Sequence, residues 1–367
     1  MLDEQAVVPQ SDGVKTESAE AAPSIIEGTT MDHYAGIDVS LESASVCVVD
    51  AKGKIVRECK VASEPEALVG CFCALGLPLS GIGLEAGPLS QWLCAGMRKA
   101  GFAVELLETR HVRAAFQAMP VKTDRKDARG IAELMRLGFV RPVHCKSVGA
   151  QEMRTLLNAR KLIQSKLKDV EMSLRGMLRG FGLKVGRTTE RRFADRIREL
   201  VAGQEALEFV AGSLLAAHAV LLCEFNRLDK RLRTQARANP AVRLLMTAPG
   251  IGPLVGLTYA AAVDDPRRFK SSRTIGAHFG MTPRKYQSGE TDYSGAISKV
   301  GDGAVRTALF EAAHVIMTRP IKGGWLKSWA LKLAKRVGQK RAKVALARKL
   351  AVILHRMWMD GTAFRFA

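Results

Sequence analysis

No run of eighteen or more apolar residues interrupts the 367-residue chain, which speaks against a membrane span. The N-terminus has no basic stretch leading into an apolar one, so it does not read as a secretory signal. Seven cysteines are present but no C-x-x-C pair, and Cys71 and Cys73, two apart in an apolar stretch, are poorly spaced for a metal. The expectation is seven reduced, mostly buried thiols in a cytoplasmic protein. Negative charge is the scarce kind. Asp and Glu total 36 against 56 Lys and Arg, leaving a net charge of +20. That excess argues for a polyanionic partner, and it is uneven, because the first thirty residues are acidic.

The length, with 47% hydrophobic residues, allows two domains with separate cores. Residues 1–30 are rich in Ser, Glu, Ala and Pro without periodicity and read as a disordered tail. From Tyr34 the pattern changes. Strands are expected at 34–39, 45–49 and 55–61, joined by connections short enough for an antiparallel meander. A helix at 64–75, a strand at 81–85, a helix at 91–99, an extended segment at 104–107 and a helix at 124–137 follow. Three hairpin strands and then alternating helices and strands is the order of an RNase H-like fold. Apolar residues at helical spacing run from 151 to 181, with Lys and Arg between them, and a second helical stretch covers 192–236. The pair suits a coiled-coil arm and dimer contact, or equally a helical hairpin packed on its own chain. The boundaries expected are a tail at 1–30, an α/β domain at 31–145, a helical spacer at 146–240 and a mostly helical domain at 241–367.

Four carboxylates stand out. Asp38 lies between Ile37 and Val39 in the first strand, out of place in a buried strand unless something pairs with it. Glu85 ends a short apolar strand before Ala86-Gly87-Pro88. Asp124 and Asp127, three apart on a helix, can share one face, although an N-cap at Asp124 and an acid at N3 would also explain that pair. If the strands of Asp38 and Glu85 are neighbours, all four acids can converge. Converging acids need a cation, and hard oxygen donors suit Mg²⁺ or Mn²⁺. Two such ions can hold a phosphodiester, activate the attacking oxygen and stabilise the leaving one.

The segment Arg284-Lys285-Tyr286-Gln287-Ser288-Gly289-Glu290-Thr291 is polar and reads as flexible. Ser288 needs an activating group, which the local sequence does not supply; Ser294 and Ser298 compete for its role, and an ordinary loop serine is the plain alternative. Pro249-Gly250-Ile251-Gly252-Pro253 resembles the turn of a helix-hairpin-helix module, in which Gly250 and Gly252 offer backbone amides to a phosphate; a simple interhelical turn is the alternative. Lys126, Lys270, Arg273, Lys299 and Arg306 are candidate nucleic-acid contacts. Trp325, Trp329 and Trp358 either stack on bases or pack the last helices.

Taken together, Tyr34-Ala35-Gly36-Ile37-Asp38-Val39-Ser40, Leu84-Glu85-Ala86 and Lys122-Thr123-Asp124-Arg125-Lys126-Asp127-Ala128 resemble the three blocks of the DEDD insertion-sequence transposases of the IS-one-ten family, which includes the Piv-type invertases. Pro249-Gly250-Ile251-Gly252, Arg268-Phe269, Gln287-Ser288-Gly289 and Ile297-Ser298-Lys299-Val300-Gly301 resemble that family's C-terminal transposase domain. The likeness runs from about residue 31 to 357. It implies a RuvC-like N-terminal domain whose catalytic, metal-binding acids are Asp38, Glu85, Asp124 and Asp127. It also implies a catalytic serine at Ser288 that forms a covalent phosphoserine with DNA, a site completed between subunits of a homo-oligomer, and a structured bridge RNA as guide. Many members carry two serines before the glycine, whereas here Gln287 precedes Ser288. Such a protein would be a nucleoid-associated DNA recombinase. Two rivals remain at this point: a metal-dependent nuclease or junction resolvase that uses water, and a non-catalytic nucleic-acid-binding scaffold.

Overall fold

The computed structural model describes residues 32–117, 123–320 and 324–366; the expected tail at 1–30 lies outside them. The chain separates into two compact units between Cys145 and Lys146.

The first unit is built on β1 (His33–Val39), β2 (Ser43–Asp50) and β3 (Ile55–Ala62), followed by α1 (Pro65–Leu75), β4 (Leu79–Glu85), α2 (Ser90–Lys99), β5 (Val104–Leu107), α3 (Thr109–Phe116), α4 (Asp124–Arg136) and β6 (Pro142–Val143). The strands form one sheet in the order β3-β2-β1-β4-β5-β6. The β1–β2 and β2–β3 pairs are antiparallel, as their short turns require; β1–β4 and β4–β5 are parallel, across the helices that return the chain. Side-chain alternation divides the sheet into two faces. Ala35, Ile37, Val46, Val48, Ile82 and Leu84 point into a core with Leu68, Phe72, Leu93 and Met97 of α1 and α2. The opposite face is nearly bare at its centre, where Gly36 of β1 faces Gly83 of β4 and Gly81 lies two residues before it on β4, and α4 lies in that hollow. A Cβ on Gly36 would stand 2.2 Å from the Ala128 carbonyl oxygen and 2.3 Å from the Ala132 nitrogen.

The second unit is mostly helical. It contains α5 (Val148–Gly180), α6 (Glu190–Val201), α7 (Glu205–Ala238), α8 (Pro240–Leu245), α9 (Pro253–Val263), α10 (Ile275–His278), a ribbon of β7 (Pro283–Ser288) and β8 (Thr291–Ile297), then α11 (Gly303–Thr318), α12 (Gly324–Val337) and α13 (Gln339–Asp360). The long arm helices pack through Leu174, Leu178, Phe193, Ile197, Ala211 and Leu215. Its last helices share a core that includes Tyr259, Phe279, Leu309, Ile316, Leu350 and Leu354.

Four expectations change. The helical stretch expected over 192–236 is two helices, because the chain turns at Gly203, φ 80°, between α6 and α7. The serine segment is not an irregular loop but a two-stranded ribbon. Only Cys47 and Cys94 are buried; Cys73 and Cys223 are exposed and the other three thiols half-buried. Thr123, not Asp124, is the N-cap of α4, its hydroxyl accepting from the Lys126 amide, so Asp124 falls at N1 and Asp127 at N4. Helix α7 is the one described helix with the length and mean hydropathy of a membrane span, 1.9 over its best window; its Ala and Leu content carries that mean across interruptions such as Ser213 and His218.

Candidate active site

Asp38 and Glu85 are brought together by strand pairing. Ile37 of β1 faces Leu84 of β4 in parallel register, so the next residue on each strand leaves the same edge of the sheet. Both acids line a cavity of about 320 Å³ with Ser40, Leu41 and the 86–90 segment. The walls are fixed by short-range bonds. Ser63 Oγ donates to the Ser40 carbonyl at 2.8 Å, and Thr109 Oγ1 donates to the Ala86 carbonyl at 2.9 Å. The Ser90 hydroxyl accepts from the Gly87 amide and donates to the Gly87 carbonyl, closing the turn after Glu85.

Glycine contacts give the direction of α4. Near its C-terminus Met135 meets Gly81, early in β4; Ile131 and Met135 meet Gly83; Ala128 meets Gly36. The helix therefore runs against β1 and β4, and its N-terminal turn, with Asp124 and Asp127, points to the edge where Asp38 and Glu85 emerge. A helix N-terminus carries a partial positive charge, which favours acids there. Among the described residues, no three His, Cys, Asp or Glu side chains are grouped closely enough to hold a metal ion. The structure thus joins Asp38 with Glu85 in one cavity and aims the other two acids at the same edge, without closing all four into a cage. All-oxygen donors of this kind fit a hard divalent cation.

Glu58 on β3 was not foreseen as part of this region. Arg125 and Arg129, one turn apart on α4, both bind its carboxylate. The hydrogen bonds from Arg129 and then Arg125 hold its pKa down to about 2. The two arginines four apart are the only sequence signal for this clamp, and their partner lies some seventy residues earlier.

In the second unit, Ser288 ends β7 and pairs with Thr291 across the loop Gly289-Glu290. Gly289 has φ 54°, a conformation that glycine adopts without strain. Every residue of β7, and β8 as far as Ala296, is exposed. The root of the ribbon is tied down. The Ser298 amide donates to the Thr282 carbonyl at 2.9 Å and the Lys299 amide to the Gly280 carbonyl at 3.0 Å.

Arg306 was expected to contact nucleic acid. Instead its Nη1 donates to the carbonyls of Phe279, Val300 and Gly301 at 3.0–3.1 Å, clamping that root. Gly250 likewise turns inward: with φ 75°, a Cβ there would meet the Ala312 carbonyl at 2.8 Å, so it packs on α11. Gly252 is the N-cap of α9, with Pro253 next and no amide at that position. This is the geometry of an interhelical turn. Lys126, Lys270, Arg273 and Lys299 are exposed, as phosphate contacts require. The tryptophans pack on their own chain: Trp325 stacks on Phe364, Lys349 lies over Trp325 and Trp329, and Trp358 borders the helical core.

Two family models match the chain. Residues 35–182 match the DEDD transposase model of the IS110 type, and residues 242–325 match the "Transposase IS116/IS110/IS902 family". The chain is 29% identical over 339 residues to the transposase for insertion sequence element IS1111A of Coxiella burnetii, covering 87% of each. It is 27% identical to a probable family 20 transposase of Pseudomonas aeruginosa, covering 79% of this chain and 87% of the relative. It is 25% identical to the transposase for insertion sequence element IS1328 of Yersinia enterocolitica, covering 77% and 85%.

Proposed function

Because the chain belongs to the IS110 family of DEDD insertion-sequence transposases and is a DNA transposase, we propose that it cuts and rejoins element DNA through a covalent bond between Ser288 and a DNA phosphate. The observation that carries the reading is the emergence of Asp38 and Glu85 from adjacent parallel strands into one cavity, with the acidic turn of α4 aimed at the same edge. The strand order, three antiparallel strands followed by β4 and β5 parallel to β1, supports a RuvC-like, RNase H-type first unit.

Asp38, Glu85, Asp124 and Asp127 are the residues that would hold Mg²⁺ or Mn²⁺. A bound divalent cation supplies charge neutralisation at the phosphate and stabilises the departing oxygen. Ser288 supplies the nucleophile. Its Oγ loses its proton and forms a bond to phosphorus as the bond from phosphorus to one deoxyribose oxygen breaks, and that oxygen takes up a proton and leaves as a hydroxyl, so no net proton is consumed. Rejoining reverses the step with a new deoxyribose hydroxyl, so the bond energy is kept in the phosphoserine and no external energy source is needed. The Arg306 clamp and the ribbon pairing hold Ser288 at the end of an exposed arm that an extended strand of DNA can reach.

A homo-oligomer and a structured guide RNA complete the proposal. Exposed apolar side chains on the arm, Leu162 and Met172 of α5 with Phe209 and Val220 of α7, support a contact between copies. The excess of positive charge supports binding of a second polyanion besides DNA. The chemistry is tested by incubating the full chain with Mg²⁺ and DNA carrying the element ends, then separating protein–DNA adducts under denaturing conditions. Adducts are expected from the native chain and none from Ser288→Ala or Asp38→Ala. Cleavage that survives Ser288→Ala would instead establish a water-using nuclease.

A further inference from the structure

The ribbon that carries Ser288 also carries two tyrosines that the reaction leaves unused. Tyr286 faces Tyr293 directly across β7 and β8, their ring centroids 5.3 Å apart and their planes 29° from parallel. They are 54% and 58% exposed. Side chains alternate between the faces of a strand, and directly paired residues share a face. The register Tyr286 with Tyr293 and Ser288 with Thr291 therefore sets both rings on the same face as the serine, two residues behind it. Lys285, Gln287 and Asp292 occupy the other face, where Lys285 and Asp292 form an ion pair at 3.1 Å.

We propose that Tyr286 and Tyr293 form a stacking platform for an unpaired base of the DNA strand that Ser288 attacks. The identity of that strand rests on the reading of Ser288 as nucleophile; the platform itself does not. Two residues of a strand span about 7 Å, the length of about two stacked base steps, so the base held is a near neighbour of the attacked phosphate. A cross-strand aromatic pair also stabilises a ribbon. That role leaves the outer ring faces in water, because no residue of the ribbon as far as Ala296 is buried. A base from duplex DNA has no free face to offer, whereas an unpaired base does. The neighbours on that face, Ser288 and Thr291, are polar, and the whole chain is strongly positive, which favours a polyanion over an apolar protein partner. Within the ribbon Arg284 and Lys285 are balanced by Glu290 and Asp292, so the rings rather than net charge carry this contact.

The test uses the full chain in a Ser288→Ala background, which prevents cleavage, and a short fluorescently labelled single strand of mixed sequence, alone or annealed to its complement. Affinity is read by anisotropy across a salt series. With Tyr286→Val and Tyr293→Val combined, β-branched residues keep the strands. Single-strand affinity is expected to fall about tenfold, the loss for one stacked base, with the salt slope and the duplex affinity unchanged. The paired Phe variant should bind like the parent. An unchanged single-strand affinity, an equal loss for duplex, or an altered salt slope would overturn the platform. Hydrogen exchange over 283–297 shows whether the Val variant keeps its ribbon. If it does not, the paired Trp variant decides: its larger ring faces must bind the single strand at least as tightly as the parent, and weaker binding refutes the proposal. Covalent adducts with Ser288 intact are measured separately. Their absence with ring-dependent binding retained would sink only the nucleophile; adducts without ring dependence would sink only the platform.

Discussion

Replacing Gly36 with Ala adds a single methyl group where α4 touches the sheet. Its carbon would lie 2.2 Å from the Ala128 carbonyl oxygen and 2.3 Å from the Ala132 nitrogen. An ordinary carbon–oxygen approach is about 3.3 Å, so the helix must retreat by about 1 Å. Both clashing atoms are backbone, so no rotamer change relieves them. Inserting a group into a packed contact of this kind costs about 3 kcal/mol, which lowers the unfolding temperature by on the order of 10 °C. The same retreat carries Asp124 and Asp127 away from the edge where Asp38 and Glu85 emerge. If these acids form the proposed site, a displacement of about 1 Å costs about a hundredfold in rate. Adduct formation per folded molecule should fall by that factor, measured below the variant's melting range. The control is Gly70→Ala on α1, where an added Cβ meets nothing within 4 Å; a helix-interior Gly to Ala change there should stabilise by about 0.5–1 kcal/mol. If Gly36→Ala melts with the parent and forms adducts at the parent rate, α4 does not sit on β1 as described.

The Glu58 clamp makes a pH prediction. With its pKa held at about 2 in the fold against 4.5 ordinarily, the carboxylate contributes fully above pH 4.5 and loses that contribution as pH falls through about 2. Urea midpoints of the parent should therefore decline more steeply over that window than those of Glu58→Gln, and parallel profiles would refute the clamp. Arg306→Ala should raise amide exchange across 283–297 while leaving the salt slope of DNA binding untouched, since Nη1 is spent on three carbonyls; a shallower slope would return Arg306 to the DNA. Lys270→Ala and Arg273→Ala should each reduce that slope by about one, and an unchanged slope would remove them from the interface.

The α/β half was legible because its signals are local. Alternating strands, the short connections between the first three of them and the apolar spacing of 64–75 each name an element within a few residues. The adjacency of Asp38 and Glu85 followed once their strands were taken as neighbours, and the register bears that pairing out. The ribbon at 283–297 escaped because it buries nothing, so no apolar alternation marks it, although Ser-Gly between two tyrosine-bearing stretches was a turn signal. Arg306 and Glu58 escaped for a different reason: their roles are defined by partners in other elements, and a surface arginine and a clamping arginine look alike in sequence. The short α3 and β6 carry too few periodic residues to announce themselves.

The bonding that secures the Ser288 ribbon is concentrated at its base, through Arg306, Gly280 and the Thr282–Ser298 pair, while every side chain from Pro283 to Ala296 faces solvent. The far end buries little, so it contributes little to the stability of the unit as a whole. Substitutions around Ser288 and the two tyrosines should therefore cost the fold little, so on the proposed reading this finger is the natural place to graft new strand preferences onto an otherwise unaltered scaffold.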